Sequence, residues 1–261
     1  MDLPLLNLEN VFSALLLLLR VSVLVILMPV LGHRLVPTQV KIGLIGLISI
    51  LLYPVVSTTM PHLPVSPGLL AFIAVQEILI AAVLSMLAQI IFAAAQLAGQ
   101  VMSYQMGLAI ANVVDPATSA QIAAVSQFSI IMAMLVWLVS GAHHSFLYAL
   151  MDSFHILPIG QPLALAAGWS AINSLAGDMF ILALRLVAPM LLLLFFLYVA
   201  LGLLSRAVPQ IQVFFVSFPL TVGVGFLAFA LALPAILMLM NDSFKDISSQ
   251  IPGLLRSLAG T

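Results

Sequence analysis

The sequence predicts an all-α membrane protein with about six hydrophobic segments. Of its 261 residues, 64% are hydrophobic and only 6% are charged, whereas an ordinary soluble domain is about 25% charged. A soluble fold of this length has too little interior to hide that much apolar surface. The few charges form no basic run that would bind phosphate groups, so we expect no nucleic-acid partner.

Six stretches approach the roughly 20 apolar residues that a membrane-spanning helix requires. They are 11–31, 42–57, 69–95, 122–140, 179–204 and 211–240. Polar or proline-containing joints separate them, and the longest joint is 141–178. The last two segments form a helical hairpin, 179–240, which is followed by a C-terminal tail, 241–261. Pro189 and Pro219 lie inside its arms, and because membrane bundles tolerate interior prolines we expect kinked arms.

Three charged side chains lie within the apolar segments, namely Arg20, Glu77 and Arg185. Burying a charge at mid-membrane costs about 2.5–3.5 kcal/mol, so these groups should pair. Basic residues in the joints 32–41 and 205–210 place both joints on the cytoplasmic side. The three charges then lie at similar depths, and Glu77 can pair with Arg20 or with Arg185. A gating or proton-linked site is one hypothesis, but a clamp between helices, which we favour, explains the charges by pairing alone.

A stripe of small and amide residues lies on one helical face just before the middle of the chain. Successive members are three, four or seven residues apart, which keeps them on that face. The members are Ser85, Gln89, Gln96, Gln100, Ser103 and Gly107. An uncharged polar stripe suits a wet pore surface or a tight seam between helices better than lipid, and both interpretations stay open. The glycine pair Gly223 and Gly225 is interpreted as ordinary close packing of helices.

Patterns for catalysis or metal binding are weak. The joint 141–178 contains His143, His144, Asp152 and His155, but adjacent histidines on a helix point to different faces, and no metal-ligand spacing appears. The sequence has no cysteine, no GxSxG elbow and no P-loop. We therefore expect neither an enzyme nor a metal ion or other cofactor.

Four stretches, taken in order, resemble the FliR/SctT family of type III secretion export-gate subunits. They are LLRVSVLVILMPVLGHRLVPTQVKIGL around Arg20, LAGQVMSYQMGLAIANVVDPATSAQIAAVSQF at 97–128, GAHHSFLYALMDSF at 141–154 and LGLLSRAVPQIQVFFVSFPL at 201–220. Ala142 interrupts the Gly-His adjacency that is usual in this family. The resemblance covers nearly the whole chain, and the order of its motifs is specific.

The resemblance implies a non-enzymatic subunit of the flagellar export gate in the bacterial inner (cytoplasmic) membrane, at the flagellar basal body. It implies FliP and FliQ homologues as partners around a shared export conduit, with FlhB, FlhA and rod subunits nearby and unfolded proteins as substrates. Residues 1–178 would be FliP-like, and the hairpin 179–240 would be FliQ-like. The alternatives are an SctT-type injectisome subunit, a small-molecule membrane transporter or an enzyme at His143–His155.

The resemblance also gives a role to the polar loop at 106–122, because in this family such a loop helps to plug the conduit. Irregular backbone at membrane depth is tolerated only where it is buried in protein or lines a wet cavity. Its candidate plug residues are Met106, Gly107, Ile110, Asn112, Val113, Val114, Asp115 and Pro116. Asp115-Pro116 disfavours a continuing helix, the aliphatic members would exclude water, and Gly107 would act as a hinge. A plain cytoplasmic turn is the alternative.

Overall fold

The computed structural model describes residues 8–57, 66–108, 120–208 and 213–260, and within these ranges the chain forms seven α-helices and no strand. The helices are α1 (Leu8–Leu27), α2 (Thr38–Val56), α3 (Pro67–Gln105), α4 (Ala120–Val139), α5 (Ala142–Ile156), α6 (Leu165–Ala207) and α7 (Val213–Ala259). The predicted all-α class is therefore confirmed.

Four of these helices, α2, α3, α6 and α7, are long and apolar enough to cross a membrane. The helices α4 and α5 make a fifth candidate span if they are taken together. Gly141 lies at their junction with a φ of 70°, which is the left-handed region that glycine adopts without steric cost. The apolar part of α1, Val11–Leu27, is shorter than the others. The described helices thus have the length and composition of a membrane protein.

The second half of the chain is more helical than the hydrophobic segments predict. The joint 141–178 contains all of α5 and the first turns of α6. In α5 the side chains of Phe146, Leu150 and Phe154 are buried, whereas those of His144 and His155 are exposed. A helix that is apolar on one side only does not form a continuous apolar run, and this is why the segment count missed it.

Residues 241–259, which belong to the predicted tail, are the last part of α7. Asp242 and Lys245 are exposed there, whereas Phe244 and Ile251 are buried. The same one-sided pattern explains why the hydrophobic run ends at 240 although the helix continues. The kinks expected at Pro189 and Pro219 stay a prediction.

The chain divides into two compact units. The first contains described residues of Met1–Ile90, Gly141–Ala176 and Phe244–Thr261, and the second contains Ile91–Ser140 and Gly177–Ser243. The helices α3, α6 and α7 contribute residues to both units. The division into a FliP-like and a FliQ-like region rests on resemblance, and it stays a prediction.

In the first unit, α2 contacts both α1 and α5. The start of α6 meets the end of α7, because the Ala164 amide donates a 2.9 Å hydrogen bond to the Leu258 carbonyl. In the second unit, α4 meets α7 at Phe128 and Phe229, whose rings are 5.7 Å apart in an edge-to-face arrangement. Each unit thus contains contacts between segments that are distant in sequence.

Candidate functional site

A buried ion pair joins α1 to α3 in the first unit. Arg20 and Glu77 are 0% and 1% exposed, and Arg20 Nε donates to Glu77 Oε2 at 2.5 Å. Both side chains are therefore shielded from bulk solvent. The structure therefore selects Arg20 from the two partners that the sequence allowed for Glu77.

The remaining Arg20 donors bind the end of α5. Nη1 donates to the carbonyl oxygen of Ser153 at 3.0 Å and to its hydroxyl at 3.1 Å, and Nη2 donates to the Leu157 carbonyl at 3.0 Å. The guanidinium carbon also lies 4.2 Å from the ring centroid of Phe154. The Ser153 carbonyl also accepts a hydrogen bond from the Leu157 amide at 2.9 Å. Carbonyls at the C-terminal end of a helix carry partial negative charge, so a cation there is favourable. Arg20 thus connects α1, α3 and α5.

This arrangement is chemically that of a clamp. The donors of Arg20 are directed at Glu77 on α3 and at Ser153 and Leu157 at the end of α5. Glu77 is fully buried. Arg185, the third predicted member of this charge cluster, is exposed and belongs to the second unit. Sequence patterns did not indicate Ser153 or Leu157, because a serine and a backbone carbonyl carry no charge signal.

The polar stripe on α3 separates into two kinds of residue. Ser85 and Ser103 are buried, and their hydroxyls donate to carbonyls of α3 itself, those of Ala82 and Gly99. Gln89 is exposed, but its side-chain amide donates a 2.9 Å hydrogen bond to the Leu27 carbonyl at the end of α1. These three residues therefore act in packing and capping rather than as a free polar surface.

The other two amides of the stripe lie on the accessible side of α3 in the second unit. Gln96 is exposed and Gln100 is half-buried, and the exposed Tyr104 continues the same side towards the helix end. Positions 96, 100 and 104 are four residues apart, so they lie along one line of the helix. This part of α3 presents a polar face that is narrow and uncharged.

A glycine brings α3 and α4 into close contact. A methyl group added at Gly99 would lie 2.6 Å from Ser126 Cα and 2.8 Å from Ser129 Oγ. The backbone of α4 therefore fits against α3 only because position 99 has no side chain. The helices α3 and α4 flank the polar loop at 106–122, the central loop, and they are packed tightly before this loop begins.

The central loop begins from a well-defined helix end. The Gly107 amide donates to the Tyr104 carbonyl, the Leu108 amide donates to the Ser103 carbonyl, and Gly107 has a φ of 77°. This is the Schellman arrangement, which usually requires glycine. Met106 is 1% exposed. The other predicted plug residues, Ile110, Asn112, Val113, Val114, Asp115 and Pro116, lie outside the described residues.

Two further residues, Tyr198 and Gly225, contact the root of the loop, and the sequence pattern had indicated only Gly225 as a packing residue. The Tyr198 hydroxyl of α6 donates to the Gln105 carbonyl at 2.5 Å. Gly225 of α7 lies directly against the Met106 side chain. A tyrosine in an apolar helix is an ordinary residue by composition, so its role appears only when the helices are assembled.

The histidines of α5 lie near its two ends, His143 and His144 at the start and His155 at the finish. The rings of His143 and His144 have centroids 3.9 Å apart, and His143 is half-buried whereas His144 is exposed. Asp152 and His155 are exposed further along the helix. Among the described residues, no group of three or more metal-ligating side chains comes together.

Comparison with known proteins gives a consistent result along the chain. The model of the family described as bacterial export proteins, family 1, matches residues 11–247. The flagellar biosynthetic protein FliR of Escherichia coli (strain K12) is 34% identical over 241 residues, which cover 92% of each chain. FliR of Bacillus subtilis (strain 168) is 33% identical over 242 residues, 90% of this chain and 92% of that protein.

The matched region includes both residues of the buried ion pair, the polar face of α3 and the root of the central loop. It also extends through most of α7, so both compact units are covered. The chain belongs to the FliR family of bacterial export proteins.

Proposed function

We propose that this chain is a non-enzymatic subunit of the flagellar type III export gate, which lines and plugs the export conduit together with FliP and FliQ homologues. The match of an export-protein family across residues 11–247 is the observation that supports this most strongly. The relatives named above are flagellar biosynthetic proteins. The chain is accordingly a flagellar export protein, and the specific role in the gate is the proposal.

The polar face of α3 supports a role beside a wet conduit or a sister subunit. Gln96, Gln100 and Tyr104 would lack hydrogen-bond partners if they faced lipid tails. An uncharged amide surface also offers a passing polypeptide only weak hydrogen bonds, so it would not retain an unfolded chain. This face is suited to the lining of an export conduit.

The apolar surfaces of α6 and α7 support assembly within a membrane. Large side chains are exposed along both helices, among them Phe195, Phe196, Phe215 and Leu231. A contiguous apolar surface of this kind requires lipid or a protein partner. We propose that FliP and FliQ homologues cover part of it in the inner membrane, with FlhB and FlhA as further partners and rod subunits at the outer end.

The central loop would supply the plug. Its N-terminal root is a capped helix end that packs on other helices, so the loop starts from a fixed position. A short aliphatic stretch held in a narrow passage excludes water and thereby blocks ions. The loop would move aside when an unfolded substrate enters.

Removing the seal tests this function. In the assembled gate, we expect deletion of 110–114, or replacement of Ile110, Val113 and Val114 by serine, to raise ion conductance, because a polar constriction stays wet. The matched control is Asn112→Ser, which changes a polar residue in the same stretch and should leave conductance unchanged. Wild-type conductance in a correctly assembled triple-serine gate would rule out the plug.

A further inference from the structure

One methionine connects the end of α3 to α7. Met106 is the first residue of the loop at 106–122, and it is 1% exposed. Its side chain fills the space where Gly225 has no side chain. A methyl group added at Gly225 would lie 2.6 Å from Met106 Cγ, 3.1 Å from Cε and 3.3 Å from Sδ. The whole thioether, not only its tip, occupies this notch.

The notch lies close to the loop. Gly107 and Leu108 follow Met106 in a Schellman turn that fixes their direction relative to α3. The Tyr198 hydroxyl holds the preceding carbonyl, that of Gln105, from the side of α6. A displacement of the loop root away from α7 must therefore withdraw the Met106 side chain from Gly225.

We infer that Met106 and Gly225 form a latch that sets how readily the root of the central loop moves, an inference that rests on the proposed plug function. Methionine suits this role because it is unbranched and flexible, so it can leave and re-enter a notch without backbone rearrangement. Glycine suits the other half because a helix offers such a notch only where a side chain is missing. Both residues are positioning residues for the loop.

The chain provides a matched pair of variants for the test. Gly225→Ala adds a methyl group that clashes with Met106, whereas Gly223→Ala adds the same group to the same helix with no atom within 4 Å. Both changes raise helix propensity equally. In the assembled gate, we expect Gly225→Ala to raise resting ion conductance by about tenfold, since overpacking shifts the equilibrium towards the displaced loop. Gly223→Ala should match the wild type.

A second substitution separates the latch from general damage to the helix. Met106→Ala empties the notch, so conductance should also rise. In the double variant Met106→Ala/Gly225→Ala the added methyl group occupies part of the vacated space, and conductance should fall below that of either single variant. If Gly225→Ala does not assemble, Met106→Ala and the double variant carry the same comparison.

Two results would overturn the latch. One is equal conductance for Gly225→Ala and Gly223→Ala, and the other is a double variant at least as leaky as the more leaky single variant. The serine replacements in the loop are measured in parallel. If these raise conductance while the Gly225 and Met106 variants do not, the plug stands and the latch fails. If none of them raises conductance, the plug function and the latch fail together.

Discussion

Arg20 is bound through every part of its guanidinium group, and this explains why an arginine and not a lysine stands there. Its Nε faces the Glu77 carboxylate, and its two terminal nitrogens face Ser153 and Leu157. A planar group with five donors can serve a carboxylate and two carbonyls together, whereas an ammonium is a compact point charge. The residue thus joins three helices from a fully buried position.

Breaking this ion pair on one side should be costly. We expect Glu77→Gln to destabilise the folded chain by about 3–5 kcal/mol, because it leaves the Arg20 charge buried without a counter-charge. The control is Asp152→Asn, which neutralises an exposed carboxylate on α5 and should change stability by less than about 0.5 kcal/mol. Thermal unfolding of the purified complex measures both, and equal effects would contradict the clamp.

Removing both charges tests the pairing directly. The double variant Arg20→Met/Glu77→Leu should lose less stability than the sum of its single variants, because no unpaired charge is left. Exchanging the two residues, Arg20→Glu/Glu77→Arg, should not restore stability, because a carboxylate at position 20 would face the carbonyl oxygens of Ser153 and Leu157. A swapped chain as stable as the wild type would mean that these carbonyls do not contribute.

Much of this residue-level picture followed from the sequence, and the reason is physical. A buried charge requires a partner, and the similar depths of Arg20 and Glu77 made their pairing geometrically possible. The exposure of Arg185 could not be foreseen, because the rotation of α6 about its own axis depends on packing. The contact of Met106 with Gly225 joins positions that are far apart in the sequence, and neither residue type predicts it.

At the level of elements, absent side chains decide how closely the helices approach. Gly99 admits the backbone of α4, and Gly225 admits a side chain from the end of α3. These two contacts differ in how they can relax, because a helix backbone cannot move aside as a methionine can. The seam between α3 and α4 is therefore the rigid contact, and the contact between α3 and α7 is the adjustable one.

A glycine-to-alanine comparison tests the rigid seam. An alanine normally stabilises a helix by about 1 kcal/mol relative to glycine, and we expect this gain for Gly202→Ala, where no atom lies within 4 Å of an added methyl group. At Gly99 the sign should reverse, with a loss of about 1–3 kcal/mol from overpacking against Ser126. The two melting temperatures of the purified complex provide the comparison. Stabilisation by Gly99→Ala would show that the seam is loose.

The limits of sequence interpretation are clearest in α5 and in the end of α7. Both are helices with one polar side, so a search for continuous apolar runs ends too early. His144 and Asp242 interrupt such runs although they lie on exposed sides. The continuous segments 69–95 and 179–204 lie inside α3 and α6, because hydropathy alone locates the part of a helix that is apolar on most sides.

At the level of the whole molecule, the chain exposes two kinds of surface that a lone protein in lipid would not combine. Large apolar side chains cover parts of α6 and α7, whereas α3 presents Gln96 and Gln100. Lipid solvates the first surface but leaves the second without hydrogen-bond partners. Sister subunits, or a wet conduit that they enclose, would complete both.

This combination of surfaces predicts that the chain is stable only in complex with partner subunits. Purified alone in detergent, the chain should aggregate or have a low melting temperature. Co-expression with FliP and FliQ homologues should instead give a hetero-oligomer of defined mass on size-exclusion chromatography. Because Gln96 and Gln100 would find polar surroundings only inside the assembly, Gln96→Leu/Gln100→Leu should weaken the hetero-oligomer and stabilise the lone chain. The control is Leu231→Met, which keeps an exposed apolar side chain on α7 and should alter neither. A monodisperse lone chain that binds a small solute would instead favour the transporter, because an autonomous carrier has no need of sister subunits to satisfy its polar groups.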